Sequence, residues 1–270
     1  MVDDRLPRGS GVGDVPKPDQ IHAEAVRLSE RAAQRGLTLR IIGSIAVQLH
    51  CLAHADLLGR LGRRPVRDID LVGYAREQAP IEAMFEDEGW LLDPVIQQAR
   101  EYGISRLIYV HPVSHQKVDV FLDRLVMSHT IDLRPRLALN APAVTPADLL
   151  LSKLQIHEIT ENDLLDLVVL FATHELGDGR AGTIDLPYVL GILCGDWGFS
   201  HAVSLNLERL RERVERGDVP PDAATLVAGR IAALEADLDR APKTRRWRLR
   251  AAVGTRAPWY QDVDEVERGA

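Results

Sequence analysis

Aromatic residues are scarce, 5% of 270 positions, so any core must be built from Leu, Val, Ile and Ala rather than from large rings. Cysteine is scarcer still. Cys51 and Cys194 stand far apart in apolar stretches, which excludes a disulfide framework and a paired-thiolate metal site and reads as two buried thiols in a reducing compartment. No apolar run is long enough to span a bilayer, and the polar, Gly- and Pro-rich N-terminus lacks the apolar centre of a signal peptide. The expectation is a cytoplasmic chain with no membrane partner, with residues 1–18 a disordered tail. An excess of positive charge is missing too: a net charge of −7 argues against a protein that coats nucleic acid through its whole surface. The basic residues are instead gathered locally. Arg240, Lys243, Arg245, Arg246, Arg248, Arg250 and Arg256 follow one another with no acid after Asp239, either a solvated helix face or a grip on an RNA backbone.

Hydrophobic residues at 46% and charged residues at 27% are enough for folded cores. Asp19 is a candidate N-cap for an amphipathic helix closed by Gly36. Thr38–Ile42 reads as a buried strand that runs into Gly43-Ser44 and a helix from Ile45 to about Leu58. Arg67–Val72 alternates polar and apolar residues as a half-buried strand does. Pro80 opens a helix ending near Gly89. Ile104–Val110 and Gln116–Leu122, joined by the turn-like His111–His115, predict an antiparallel hairpin. Past Thr145-Pro146 helical periodicity takes over. The chain therefore reads as α+β, with a mixed α/β domain over 19–142 and an all-helical domain over 143–270.

The residues that suggest chemistry come in order along the chain. Gly43 and Ser44 sit where a strand meets a helix, a place where the backbone can approach a ligand closely and free N–H groups can face a phosphate. A plain strand-to-helix turn capped by serine fits the same residues. Asp68 and Asp70, two apart on a strand, share a face, and like charges side by side call for a cation, unless they merely face solvent on an edge. Asp119, in Lys117-Val118-Asp119 on the neighbouring strand, would complete three carboxylates. Two metal ions roughly 3.5–4 Å apart there would bind a triphosphate and activate an attacking hydroxyl. Asp123 shares that strand face and is the rival third carboxylate, although it falls where the strand should end. Lys153 on an apolar helix is either a snorkelling lysine or a buried charge awaiting an anion. Asp163 and Asp166 share a helix face near its positive end, as a cap and an ordinary ion pair or as site residues. His50 and His54 have zinc-like spacing but no third ligand nearby.

This order of motifs resembles the DNA polymerase beta-like nucleotidyltransferase superfamily. The helical segment KLQIHEITENDLLDL, with Lys153, Asp163 and Asp166, is similar to the AbiEii-like nucleotidyltransferases, toxins of type IV toxin–antitoxin systems. The resemblance spans about residues 38 to 171. It implies a nucleotidyltransferase-type mixed sheet, triphosphate contact at Gly43 and Ser44, and Mg²⁺ or Mn²⁺ held by Asp68, Asp70 and Asp119. It further implies nucleotide contacts at Arg64, Lys117 and Lys153, and places Asp163 near the catalytic centre. Val66 stands where Ser or Thr is usual, and Asn162 where Arg is usual, departures that leave the carboxylates intact. The implied activity moves a nucleoside monophosphate from a nucleoside triphosphate to a hydroxyl, foremost the 3′ end of tRNA, with an antitoxin protein as a possible partner. A small-molecule acceptor such as an antibiotic is the alternative enzyme. A nucleotide-binding module without catalysis is the alternative from another class, and the presence of all three carboxylates counts against it.

Overall fold

A computed structural model describes residues 17–94, 96, 106–180 and 182–261. Most of the expected N-terminal tail, Ile104 and Ser105 of the expected hairpin, and residues 262–270 lie outside them.

Helix α1 (Pro18–Gln34) starts one residue ahead of the expected cap. Pro18 takes the first helical position, where a missing N–H is harmless, and the Lys17 N–H donates to Gln20 Oε1. Strand β1 (Leu39–Ile42) runs directly into α2 (Gly43–His50). The long helix predicted to Leu58 is broken: a short 3₁₀ turn, Leu52–His54, precedes α3 (Ala55–Arg60). The bend turns Leu57 and Leu58 into the core and leaves Leu52 exposed. Strand β2 (Asp68–Gly73) follows the predicted alternation, and α4 (Gln78–Asp87) begins two residues before Pro80, which its first turn tolerates. Strands β3 (Leu91–Leu92), β4 (Arg106–Val110) and β5 (Lys117–Leu122) complete a five-stranded sheet of order β1-β2-β5-β4-β3. The predicted hairpin is present, with β4 antiparallel to β5.

The β2–β5 pair is parallel, whereas β1 and β2 are antiparallel, so the sheet is mixed. On it, α4 stacks Phe85 on Tyr109 of β4, ring centroids 4.1 Å apart, and α1 is tied to the end of α4 by Arg27 and Arg31 on Glu88. A small ribbon of β6 (Arg124–Val126) and β7 (Thr130–Asp132) leads out of β5.

The helical half begins after a parallel bridge from Ile41 to Ala143. Helices α5 (Pro146–Leu154) and α6 (Glu161–Thr173) both open on a capping box, Thr145 with Asp148 and Thr160 with Asp163. Nine successive residues of α6, Leu164–Ala172, are buried, so it is a central helix rather than an amphipathic one. Of the helices that follow, α7 (Leu186–Leu193), α8 (Trp197–Glu215), α9 (Pro221–Arg240) and α10 (Arg245–Val253), α8 and α9 pack on α6, and α7 and α10 pack on α8. A two-residue ribbon, β8 (Leu176–Gly177) with β9 (Ile184–Asp185), is too short to show in the pattern of the sequence. Helix α2 packs on both α5 and α6, and the apolar core continues from Ile21 to Leu238 without a break. The architecture is α+β, a mixed sheet flanked by helices and followed by helices. Among the described residues no helix is long and apolar enough to cross a membrane.

One buried ion pair outside the sheet anchors the start of the helical half. Arg136 Nε donates to the fully buried Asp148 at 3.0 Å, while its other nitrogens reach Asp185 and Thr145 and its guanidinium lies over the Tyr188 ring. Arg136→Ala strands a charge at Asp148 and is expected to cost about 3–5 kcal/mol of stability in urea unfolding. Arg136→Lys should recover only part of it, because an ammonium cannot serve three partners in a plane.

Candidate active site

The register of the parallel pair brings the carboxylates together. Asp68 stands opposite Lys117, and Asp70 stands directly opposite Asp119. Parallel neighbours lie about 4.8 Å apart with side chains on a common face, so two negative groups are forced side by side. Asp123 is not part of this. It follows the last residue of β5 with φ +62°, and its Oδ1 accepts the Ala75 N–H at the other end of β2. Its left-handed backbone ends the alternation that would have carried its side chain to the Asp119 face.

Beneath Asp70 is Gly43, the first residue of α2. Its φ is +72°, and a Cβ built there would stand 2.6 Å from Asp70 Oδ2. Glycine is required twice over, by the backbone and by the close approach of the carboxylate. The N-cap, Ile42, offers no side-chain acceptor, so the first amides of α2 meet no capping side chain. Burial, and next the charge of Asp119, push the Asp70 carboxyl up to about 7; Asp68 adds to the rise, while Lys153 and Arg106 oppose it.

Asp119 is buried, and its two oxygens differ. Oδ2 accepts from Arg106 Nη2, whereas Oδ1 has no hydrogen-bond partner. An orphaned buried carboxylate oxygen beside an acid that resists ionisation is a site short of positive charge. Hard oxygen donors of this kind fit Mg²⁺ or Mn²⁺. Among the described residues no three His, Cys, Asp or Glu side chains close into a finished metal cage, the Arg106 guanidinium standing at Asp119 instead.

Next to the carboxylates is a buried network. Ser44 Oγ donates to Asp166 Oδ2 at 2.8 Å, Lys153 Nζ reaches Asp163 at 2.7 Å and Asp166 at 3.0 Å, and Arg63 Nε reaches Asp166 at 2.6 Å. Asp163 spends its other oxygen on the Thr160 cap, Thr160 Oγ1 lying 2.6 Å away. Asp163 therefore belongs to the capping box of α6 and also holds Lys153. Burial works against the charge on Lys153, but Asp166 and Asp163 outweigh it, and its pKa is raised. Burial likewise opposes ionisation of Asp163, and Lys153 more than offsets it, leaving that pKa lowered. Lys153 thus does not snorkel to solvent. It is a permanent buried cation, joined to Ser44 at 3.4 Å and close enough to affect Asp70.

Gly43, Ser44, Asp68, Asp70, Lys117, Asp119, Lys153 and Asp163 therefore gather on the β2–β5 face and the helix ends beside it. Arg64 does not join them: its side chain is exposed, and its backbone N–H donates to Asn162 Oδ1 at 3.3 Å. Its neighbour Arg63 is the arginine that turns inward. Adjacent arginines in a loop carry no periodicity from which the choice could be read. Arg106 was also missed; its one signal is a charge at the head of an otherwise apolar strand. His50 and His54 go elsewhere, His50 Nε2 to the Val144 carbonyl and His54 to Thr173.

No family model matches the chain, and no curated protein does. Among solved structures it is similar to an antigenic nucleotidyltransferase-like protein from Paracoccidioides brasiliensis, at 14% identity and a TM-score of 0.39, over 84% of this chain and 96% of that one.

Two outcomes follow from the geometry. Gly43→Ala should lower stability by about 1–2 kcal/mol through its left-handed backbone alone and should displace Asp70, which differential calorimetry and nucleotide titration will report. In metal-free buffer, a carboxyl whose pKa is raised by folding costs stability as pH climbs from its unfolded value near 4 to about 7. Asp70→Asn should therefore stabilise the protein at pH 8, by on the order of 2 kcal/mol for a partly exposed group, and leave it nearly unchanged at pH 4. Equal stabilisation at both pH values would contradict the assignment.

Proposed function

We propose that this protein is a nucleotidyltransferase that moves a nucleoside monophosphate from a nucleoside triphosphate to a hydroxyl acceptor, with pyrophosphate as the leaving group. The observation that carries the reading is the pairing of Asp70 with Asp119 across β2 and β5, over the glycine that opens α2. Two carboxylates forced together, one of them with an unpartnered buried oxygen, suit a divalent cation, and a helix N-terminus beside them suits phosphate. The sequence resemblance supports the same reading.

Asp70 and Asp119, with Asp68, would hold Mg²⁺ or Mn²⁺. When bound, the metal supplies charge neutralisation for the triphosphate and lowers the pKa of the attacking hydroxyl. The other roles belong to the chain. Gly43 gives the phosphates close access to the backbone, and Ser44 adds a hydroxyl. Lys153, fixed by Asp163 and Asp166, presents a permanent positive charge from the helical side. Arg63 neutralises the second carboxylate of that pair, so Lys153 is not fully quenched by its own partners. Phosphoryl chemistry needs mainly such positioning and charge.

For the acceptor we favour RNA, which the AbiEii-like resemblance implies and which agrees with a toxin role. Arg245, Arg246 and Arg248 are exposed on α10 and pair with no acid among the described residues. Arg250 is different. It donates to the carbonyls of Gly254, Ala257 and Pro258 and lies over the Trp197 ring, so it fastens the chain's own backbone.

Incubation with labelled nucleoside triphosphates, Mg²⁺ and total RNA should give labelled RNA, abolished by EDTA and by Asp70→Ala or Asp119→Ala with the fold retained. Neutralising Arg245, Arg246 and Arg248 together should weaken RNA binding and reduce its salt slope by up to about 3 without affecting nucleotide binding. Label on a small molecule and none on RNA would replace the acceptor. Full activity in EDTA would remove the metal assignment.

A further inference from the structure

The pair formed by Arg106 and Asp119 is half-made. An arginine that serves structure in a protein interior commonly meets its carboxylate with two parallel N–H donors. Here one nitrogen, Nη2, reaches Asp119 Oδ2, while Arg106 Nε and Asp119 Oδ1 are both buried without partners. The arginine also has a second attachment. Arg106 stands opposite Phe121 in the β4–β5 register, and its guanidinium lies 5.1 Å from the Phe121 ring centroid. Its side chain keeps 32% of its surface exposed, unlike Arg63 at 5%, so it has room to leave Asp119 without leaving the ring.

We propose that Arg106 is a built-in counter-ion that occupies the Asp119 carboxylate until a divalent cation displaces it. This rests on the reading of Asp119 as a cation ligand and extends it to regulation of that site. In the metal-free protein the guanidinium offsets the repulsion between Asp119 and Asp70, which a register-locked pair cannot relieve by moving apart. A cation taking Asp119 releases the guanidinium, which stays over Phe121, where cation–π attraction retains it. Because the cation must first break an ion pair, Arg106 weakens metal binding in the absence of nucleotide. It acts through Asp119 and is a positioning residue.

The test uses Mn²⁺ alone, titrated into the full chain and followed by electron paramagnetic resonance, with circular dichroism and thermal unfolding as fold controls. Arg106→Gln is expected to bind Mn²⁺ at least about tenfold more tightly than wild type, since a competing charge is gone. Arg106→Met, which keeps an apolar stem near Phe121, provides a second charge-free variant should the glutamine variant misfold. Arg106→Lys should stay within about threefold of wild type, its point charge still competing. Asp119→Asn added to either neutral variant should remove the gain, and Arg76→Gln, an exposed charge at the other end of β2, should give none. Unchanged or weaker Mn²⁺ binding in folded Arg106→Gln or Arg106→Met would overturn the proposal, as would an equal gain in Arg76→Gln. Tightened Mn²⁺ binding without any nucleotidyl transfer would leave the inference standing and count against the proposed function. Transfer activity with no change in Mn²⁺ affinity would do the reverse.

Discussion

Two carboxylates that cannot move apart govern this structure. The parallel register of β2 and β5 sets Asp70 opposite Asp119, and the strands on either side, β1 and β4, hold that register in place. Unlike a pair on a flexible loop, these acids cannot relax their repulsion by rotating away together, because each shares its strand with residues committed to the core. Ile69, Leu71, Val118 and Val120 are fully buried around them. Slipping either strand by one residue would send the whole apolar set to the wrong face. The repulsion is therefore held by hydrophobic packing, and it adds to burial, the larger cause, in making the Asp70 carboxyl resist ionisation. Such stored strain is a common mark of a functional site.

A buried charged group beside the carboxylate pair draws on both halves of the chain. Lys153 comes from the last turn of α5, Asp163 and Asp166 from the start of α6, Arg63 from the loop before β2 and Ser44 from α2. Four separate segments thus meet in a buried group with two positive and two negative charges. Its members satisfy one another, which is the condition for burying charge without a large penalty. One consequence is geometric. Lys153 is fixed by Asp163 and Asp166 of its own half, and Ser44 and Arg63 tie that group to the sheet half, so the seam between the two halves sets where its charge lies.

Much of this was legible in the sequence, for identifiable reasons. The alternation of Arg67–Val72 reports burial on one face, so that strand, and with it the shared face of Asp68 and Asp70, could be read directly. The short turn at His111–His115 implied the β4–β5 hairpin, which sets Asp119 opposite Ile108; the parallel pairing of β5 with β2 that brings Asp119 to Asp70 joins strands far apart in the chain and left no local signal. Preferring Asp119 over Asp123 rested on where the strand should end, and the positive φ of Asp123 is the physical form of that ending. What could not be read was how side chains choose among nearby partners. Arg63 and Arg64 are adjacent in a loop without periodicity, and only the fold decides which one reaches Asp166. Lys153 read as either a snorkelling lysine or a buried charge; that two carboxylates ten and thirteen residues later hold it depends on how α5 meets α6. The break between α2 and α3 was hidden because apolar residues continue through it.

If the Asp70–Asp119 pair is where a cation and a triphosphate bind together, nucleotide binding depends on both the metal and Asp119. Isothermal titration of a non-hydrolysable nucleoside triphosphate, with and without Mg²⁺, into wild type and Asp119→Asn tests this most directly. Nucleotide binding is expected only with Mg²⁺ and only in wild type. Binding of equal strength without metal, or undiminished in Asp119→Asn, would contradict it.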